Sequence, residues 1–316
     1  MILSQKVKVE ITRSSDIFPF WEKSKQRTIF NNPKFLEIFD YKFFWWTATF
    51  GDEKICCWPI CIDKDRVVIP DFFYYFGPLW SAKEIRPHKW LNLSNNIYNK
   101  IFEKLIKEYG EIDNQLHYSL DDVRAFDWWN YDLGKKFQII PKYSATLENL
   151  NSRNLEQVID DFRYIRKREI KKFNEKYRIK IENDLNFKII SFYYSSILEQ
   201  QEKEVTNQNL TNLHSIYKAI KNKFGSIIVL KNSDNNEIIS FSLVLDDLNT
   251  SNLVFNANNK KYRKDGSNAV LIKETIGNTQ KKKINILDFN GVNSPKRGDD
   301  KHSFGSRHKL YFHVKY

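Results

Sequence analysis

The segment Lys260-Lys261-Tyr262-Arg263-Lys264-Asp265-Gly266-Ser267-Asn268-Ala269 combines the groups needed to hold a phosphate. Gly266 can take a positive φ angle, so that successive backbone N–H groups converge on one anion. Arg263 and Lys264 add charge, and Ser267 adds a hydroxyl. An ordinary surface turn closed by a Ser or Asn helix cap would use the same residue types. The position of the segment favours the anion: it lies between a strand at 252–259 and a helix at about 267–280. A helix start presents unpaired N–H groups and the positive end of its dipole.

Asp288 closes a buried apolar strand, INILDF. A carboxylate there is costly unless it is paired or used, so it is a candidate base; its other role is to cap the turn 289–293. His302 can act as a base, hold a phosphate, or sit solvated on a loop. Asn290, Asn293 and Ser303 have the hydrogen-bonding groups to hold a sugar and are also ordinary turn residues. In the first half, PDFFYYFGPLW (70–80) is the densest aromatic cluster. Tyr74, Tyr75 and Phe76 can wall a pocket for a base or a sugar, or pack as core.

The elements that must position these groups follow from hydrophobic period. In the second half a helix is predicted over 155–173, then the strand RIKIE, and two helices at 187–204 and 210–224. Next come the strands SIIVLK and EIISFSLVL across the turn-rich NSDNN, and a third strand, NLVFNANN. The Gly-bearing loop, a helix, the strand INILDF, a polar stretch and the strand KLYFHVKY complete the half. The first half repeats the order loosely: the strand VKVEITR, short helices near Phe18 and at 33–39, the hairpin KFFWWTATF/KICCWPICI, and RVVIP. A long helix at 91–109 carries Ile97, Tyr98, Ile101, Phe102, Leu105 and Tyr109 on one stripe. LHYS and FQIIP are its closing strands. A duplicated α/β (α+β) fold of about 150 residues per copy is predicted, divided in the polar stretch NLNSRN (149–154).

Composition bounds the rest. With 316 residues, 41% hydrophobic and 15% aromatic, the chain can bury a sizeable core. No apolar run approaches the roughly 18 residues of a membrane span, and the start MILSQKVKVEITRSS lacks a signal-peptide pattern, so a cytoplasmic protein is expected. Cys56, Cys57 and Cys61 lie in an apolar strand with no nearby histidine, which predicts reduced buried thiols and no metal. The net charge of +12 suits nucleic acid, an anionic membrane or phosphorylated small molecules, and a solvated surface in a lysine-rich proteome accounts for it equally.

The second half resembles the GNAT acyltransferases: RKDGSN stands where that family has its Arg/Gln-x-x-Gly-x-Gly/Ala pyrophosphate loop, with Asn268 in place of the last small residue. DFNGVNSP (288–295) followed by KHSFG (301–305) resembles the Fem-type (FemABX-like) double-GNAT proteins, which carry Asp-Phe-x-Gly and then Phe-Lys-x-x-Phe-Gly. Asp300 replaces the first Phe; Lys301, Phe304 and Gly305 match. The resemblance covers about 147–316 by motif and the first half by architecture. It implies two tandem GNAT-like domains, each a mixed sheet flanked by helices: 1–150 on the acceptor side and 151–316 on the acyl-CoA side.

It further implies a coenzyme A thioester laid along 252–259, with Phe255 and Asn256 beside it. Arg263, Lys264, Gly266, Ser267, Asn268 and Ala269 would hold its pyrophosphate. Asp288 and His302 are then the catalytic candidates, and Tyr74, Tyr75, Phe76, Asn290, Asn293 and Ser303 the substrate-binding ones. The compact size and the lack of a heptad-bearing arm resemble the branch that acylates nucleotide-linked amino sugars for surface polysaccharides. An aminoacyl-tRNA-dependent ligase is the alternative. A basic nucleic-acid-binding protein, suggested by the Arg/Lys helix at 163–178, is the non-enzymatic rival.

Overall fold

The computed structural model describes residues 7–82 and 86–316, so residues 1–6, on which part of the leader reading rests, lie outside it. The chain forms two compact units. One runs to Lys142 and takes in Leu310–Tyr316; the other is Tyr143–Lys309.

The first unit contains β1 (Val7–Thr12), α1 (Phe18–Lys23), α2 (Pro33–Leu36), β2 (Lys42–Phe50), β3 (Glu53–Asp63), β4 (Arg66–Val68), β5 (Leu79–Trp80), α3 (Pro87–Tyr109), β6 (Asp113–Gln115) and α4 (Arg124–Asp127). β1-β2-β3-β4 form an antiparallel ladder, and β5 joins β3. The apolar stripe of α3 is buried as its spacing requires, with Ile97, Ile101, Phe102 and Leu105 fully covered against Trp58 and Phe126. Each such side chain contributes about 1.5–3 kcal/mol. Gly110 ends α3 in the left-handed region, φ 72°, where a side chain is disfavoured. The three cysteines are buried and free, and burial pushes the Cys57 thiol up to about 12. Among the described residues no group of three His, Cys, Asp or Glu side chains could hold a metal.

β7 (Gln138–Leu147) straddles the division between the units. The second unit continues with α5 (Leu155–Asp160), α6 (Tyr164–Lys176), β8 (Ile179–Glu182), α7 (Phe187–Gln200), α8 (Asn207–Ala219), β9 (Gly225–Asn232), β10 (Ile238–Asp246), β11 (Thr250–Asn258), α9 (Lys260–Arg263), α10 (Ser267–Lys281), β12 (Ile286–Asp288) and α11 (Pro295–His302). β13 (Arg307–Lys315) closes the chain. β8, β9, β10 and β11 are successively antiparallel, β12 lies parallel to β11, and the end of β7 pairs with β12. Val270, Ile272 and Ile276 of α10 pack with Ile170 and Phe173 of α6 on Leu230, Val244, Leu253 and Leu287. α7 lays Tyr193 and Tyr194 against Phe241 and Phe255.

The compact units divide between Lys142 and Tyr143, and Leu150 is buried in the second core with its N–H donating to Asn285 O. Four element expectations change. The last strand returns to the first unit: His313, Val314 and Lys315 pair with Gln115, Asn114 and Asp113, and LHYS is not a strand. The single helix predicted over 155–173 breaks into α5 and α6, since Arg163 N–H donates to Ser303 O instead of continuing the helical ladder. The polar stretch after INILDF contains α11, whose sequence, PKRGDDKH, has no apolar period.

Candidate functional site

β11 and β12 pair only at Thr250–Ile286, Ser251–Leu287 and Asn252–Asp288, and then separate. β11 goes on beside β10, and its register slips so that Leu243 faces Phe255 while Val244 faces Leu253. Val254 is the extra residue of a β-bulge, which bends the strand. Beyond Asp288 the chain follows β7 instead, with Phe289 N–H donating to Ala145 O at 2.8 Å and Val292 N–H to Tyr143 O at 2.9 Å. The Asn290 side chain spans the opening: Nδ2 donates to Leu253 O at 3.0 Å.

That opening is built from polar groups in the interior. Asp288 and Ser144 have no exposed surface, and Asn252 and Asn290 retain 1% each. Asp288 Oδ1 accepts from Ser144 Oγ at 2.5 Å and from Asn290 N–H at 2.7 Å, and Asn290 sits at φ 54°. The carboxylate therefore holds the turn 289–293, the second of the two roles its position allows. Asn252 Nδ2 and Asn290 Oδ1 are buried and have no hydrogen-bond partner among the described residues.

The two halves of the Fem-like motif meet physically. Lys301 Nζ donates to Phe289 O at 2.6 Å, to Gly291 O at 2.8 Å and also to Asn290 O, so one ammonium ties three successive carbonyls. Phe304 stacks on Phe289 and meets Phe162 edge-on. Asp300, which replaces the family's Phe, pairs with Arg166, and Arg166 also lies over the Phe304 ring. Two of the candidate sugar-binding residues make contacts within the unit. Ser303 is buried and accepts from Arg166 Nε at 2.7 Å, and Asn293 Oδ1 accepts from Tyr143 N–H at 2.7 Å. His302 faces Ser306, with Nδ1 3.1 Å from its hydroxyl, at the end of α11.

At the start of α10, Gly266 adopts φ 97°, as the anion-loop reading requires. A carbon added there would stand 2.7 Å from Glu169 Cβ, so this glycine admits the close approach of α6. Ser267 is fully buried and its hydroxyl donates to Asn258 Oδ1 at 3.0 Å. Asn268 Oδ1 accepts from Asn256 Nδ2 at 3.1 Å and Asn258 Nδ2 at 3.3 Å, binding the first turn of α10 to β11. Ala269 is core, Phe255 packs on Tyr194 and Phe241, and Arg263 and Lys264 are exposed. Gly266 N–H donates to Arg263 O and Ala269 N–H to Gly266 O, so Ser267 and Asn268 carry the amides of this helix start that a diphosphate would have to use.

In the first unit, Tyr75 and Phe76 are core residues with 1% and no exposure. Tyr75 meets His117, Tyr118 and Tyr311 edge-on, and Phe76 packs on Phe43 and Phe73. Neither ring has a free face for a ligand. Tyr74 does line a cavity of about 700 Å³, together with Asp71, Glu111, Asp113, His313 and Lys315. Burial alone would raise the Asp113 carboxyl, but hydrogen bonds from His313 and Lys315 outweigh it and hold it below the ordinary value. These charged residues come from strands 200 positions apart, and no local motif marks them.

No family model and no curated protein matches the chain. Solved structures do. The chain is similar to FemX, with TM-score 0.67 and 8% identity over 96% of both chains. It is similar to a tandem GNAT protein from the clavulanic acid biosynthesis pathway, with TM-score 0.60 and 8% identity over 98% of both. The fold is a FemX-like, tandem GNAT-like fold. A third similar structure is the C-terminal domain of a putative lysylphosphatidylglycerol synthetase from Agrobacterium fabrum, with TM-score 0.56 and 8% identity over 96% of this chain and 90% of the other. Among the described residues no helix is long and apolar enough to cross a membrane.

Proposed function

We propose that the chain is a cytoplasmic N-acyltransferase that moves an acyl group from acyl-CoA to the amine of a nucleotide-linked amino sugar, within surface polysaccharide synthesis. The observation that carries the donor half is the separation of β11 from β12 in the unit where Gly266, at positive φ, opens α10. A thioester laid along β11 would set its diphosphate on the α10 amides, with Arg263 and Lys264 adding charge. Its carbonyl would enter the strand opening. Asp288, Lys301 and Asn268 fix the framework around it. The first unit separately holds a cavity whose mixed charges and Tyr74 suit a hydroxyl-rich ligand.

The demand on the site is modest. It must align an amine with a thioester carbonyl, stabilise the oxyanion and remove one proton. A sugar amine is less basic than a lysine, so a reactive neutral fraction exists near pH 7.

A second reading is an aminoacyl-tRNA-dependent ligase, which the net charge of +12 suits. Several cations of the basic segment 163–176 are already paired: Arg163 with Asp299, Arg166 with Glu169 and Asp300, and Lys176 with Asp265. That pairing weakens the case for a bare nucleic-acid-binding protein.

Thiol release from a panel of acyl-CoAs, against a panel of nucleotide amino sugars, tests the proposal. Turnover that requires both substrates is expected. Absence of turnover with every pair, beside saturable tRNA binding that falls steeply with salt, would replace it with the second reading.

A further inference from the structure

We propose that Asn252 is a catalytic residue, donating from its side-chain amide to the thioester carbonyl oxygen as that atom becomes an oxyanion; this rests on the acyl-transfer reading above. Asn252 occupies the last paired position before the strands part, with Asp288 on one side and Leu245 on the other. It is 1% exposed, and its Nδ2 has no acceptor among the described residues. A buried asparagine normally serves a fold by bonding to backbone or side chains. This one leaves its donor unused, at a cost on the order of 1–3 kcal/mol. A leucine of similar size would avoid that cost at a position whose directly opposite neighbour on β10, Leu245, is buried.

The adjoining group is complementary. Asn290 donates through Nδ2 to Leu253 O, the carbonyl next in sequence to Asn252, and this fixes its amide so that Oδ1 is the unpaired end. An unused donor on β11 and an unused acceptor just beyond β12 are thus both buried in the unit where the sheet opens. Acyl transfer to an amine needs that pair: a donor for the carbonyl oxygen and an acceptor for an amine N–H. The amine lone pair attacks the carbonyl carbon, and the C=O π electrons move to oxygen, where Asn252 Nδ2 donates. The oxyanion then collapses and the C–S bond breaks. Coenzyme A leaves with the electron pair, and the amine proton passes to solvent or to the thiolate.

The test is Asn252→Leu in the full chain, read by thermal unfolding and by steady-state thiol release. Tm is expected to rise by about 2–4 °C, because an unpaired donor is removed. kcat should fall on the order of 100- to 1000-fold, with the acyl-CoA KM changed less than about threefold, because the amide acts on the transition state. Loss of stability with the leucine would show that the amide makes a folding contact and overturn the proposal. Unchanged kcat in a folded variant would overturn it too. If leucine fails to fold, Asn252→Ala removes the amide without added bulk, and the same kcat criterion decides. Wild-type protein that turns over no acyl-CoA sinks the functional reading and this assignment together, whereas a wild type that is active beside an equally active variant sinks only the assignment.

Discussion

Lys301 Nζ donates to Gly291 O at 2.8 Å, and through its two other bonds holds the carbonyls of Phe289 and Asn290 as well. The lysine lies in α11 and the carbonyls follow β12, so one side chain joins two segments that share no apolar period. Charge-assisted bonds are the strong ones, and removing their donor leaves carbonyls to find new partners.

Lys301→Met should therefore cost about 2–4 kcal/mol of unfolding free energy in urea, well above an ordinary surface substitution. A cost below about 1 kcal/mol would mean that the turn keeps its shape without the ammonium.

Gly266 is used twice, for its positive φ and for the approach of α6. Alanine there meets both a strained backbone and Glu169 Cβ at 2.7 Å. Gly266→Ala should lower stability by about 2 kcal/mol or more, seen as a drop in Tm. A variant as stable as the parent would show that α6 can retreat freely from the loop.

The sequence reveals what is periodic and local. The stripe of α3, the β2/β3 hairpin and the strand–loop–helix around Gly266 all follow from spacing or turn chemistry within a few residues. The break between α5 and α6 is different, because its cause lies about 140 positions away. Ser303 O takes the Arg163 amide, and Gly305, at φ 77°, lets Asp161 pack against it. Tyr75 and Phe76 were equally suited to a pocket or a core by residue type. Only the arrangement of Tyr311, Tyr118 and Phe43 around them decides for core. Asn252 carries no sequence signal, since its unused amide is a property of the folded neighbourhood.

His117 gives the first unit an acid sensitivity. Burial, helped by the Arg27 charge, lowers its pKa to about 3, and the ring is wedged against Tyr75 and Tyr118. In the unfolded chain an ordinary histidine takes up a proton near pH 6.5. Below that pH the unfolded state binds more protons than the folded one, so stability falls as pH falls towards 3. The slope reaches at most about 1.4 kcal/mol per pH unit. Urea midpoints measured from pH 7 to pH 4 should show this decline, and His117→Gln should flatten it. An unchanged slope in the glutamine variant would assign the acid sensitivity to other groups.

The donor loop can be probed by charge without touching the core, because Arg263 and Lys264 are exposed while Ser267 and Ala269 are not. Reversing both cations, as Arg263→Glu with Lys264→Glu, places two carboxylates beside the amides of α10 where a diphosphate would bind. Like charges at that distance disfavour the ligand, and surface substitutions cost little folding energy. The acyl-CoA KM should rise by on the order of tenfold or more, with Tm within a few degrees of the parent. The rise should shrink as salt is added, since exposed charges are screened over about 8–10 Å. An acyl-CoA KM unmoved by the double reversal would place the diphosphate away from this loop, even if the opening between β11 and β12 still receives the acyl group.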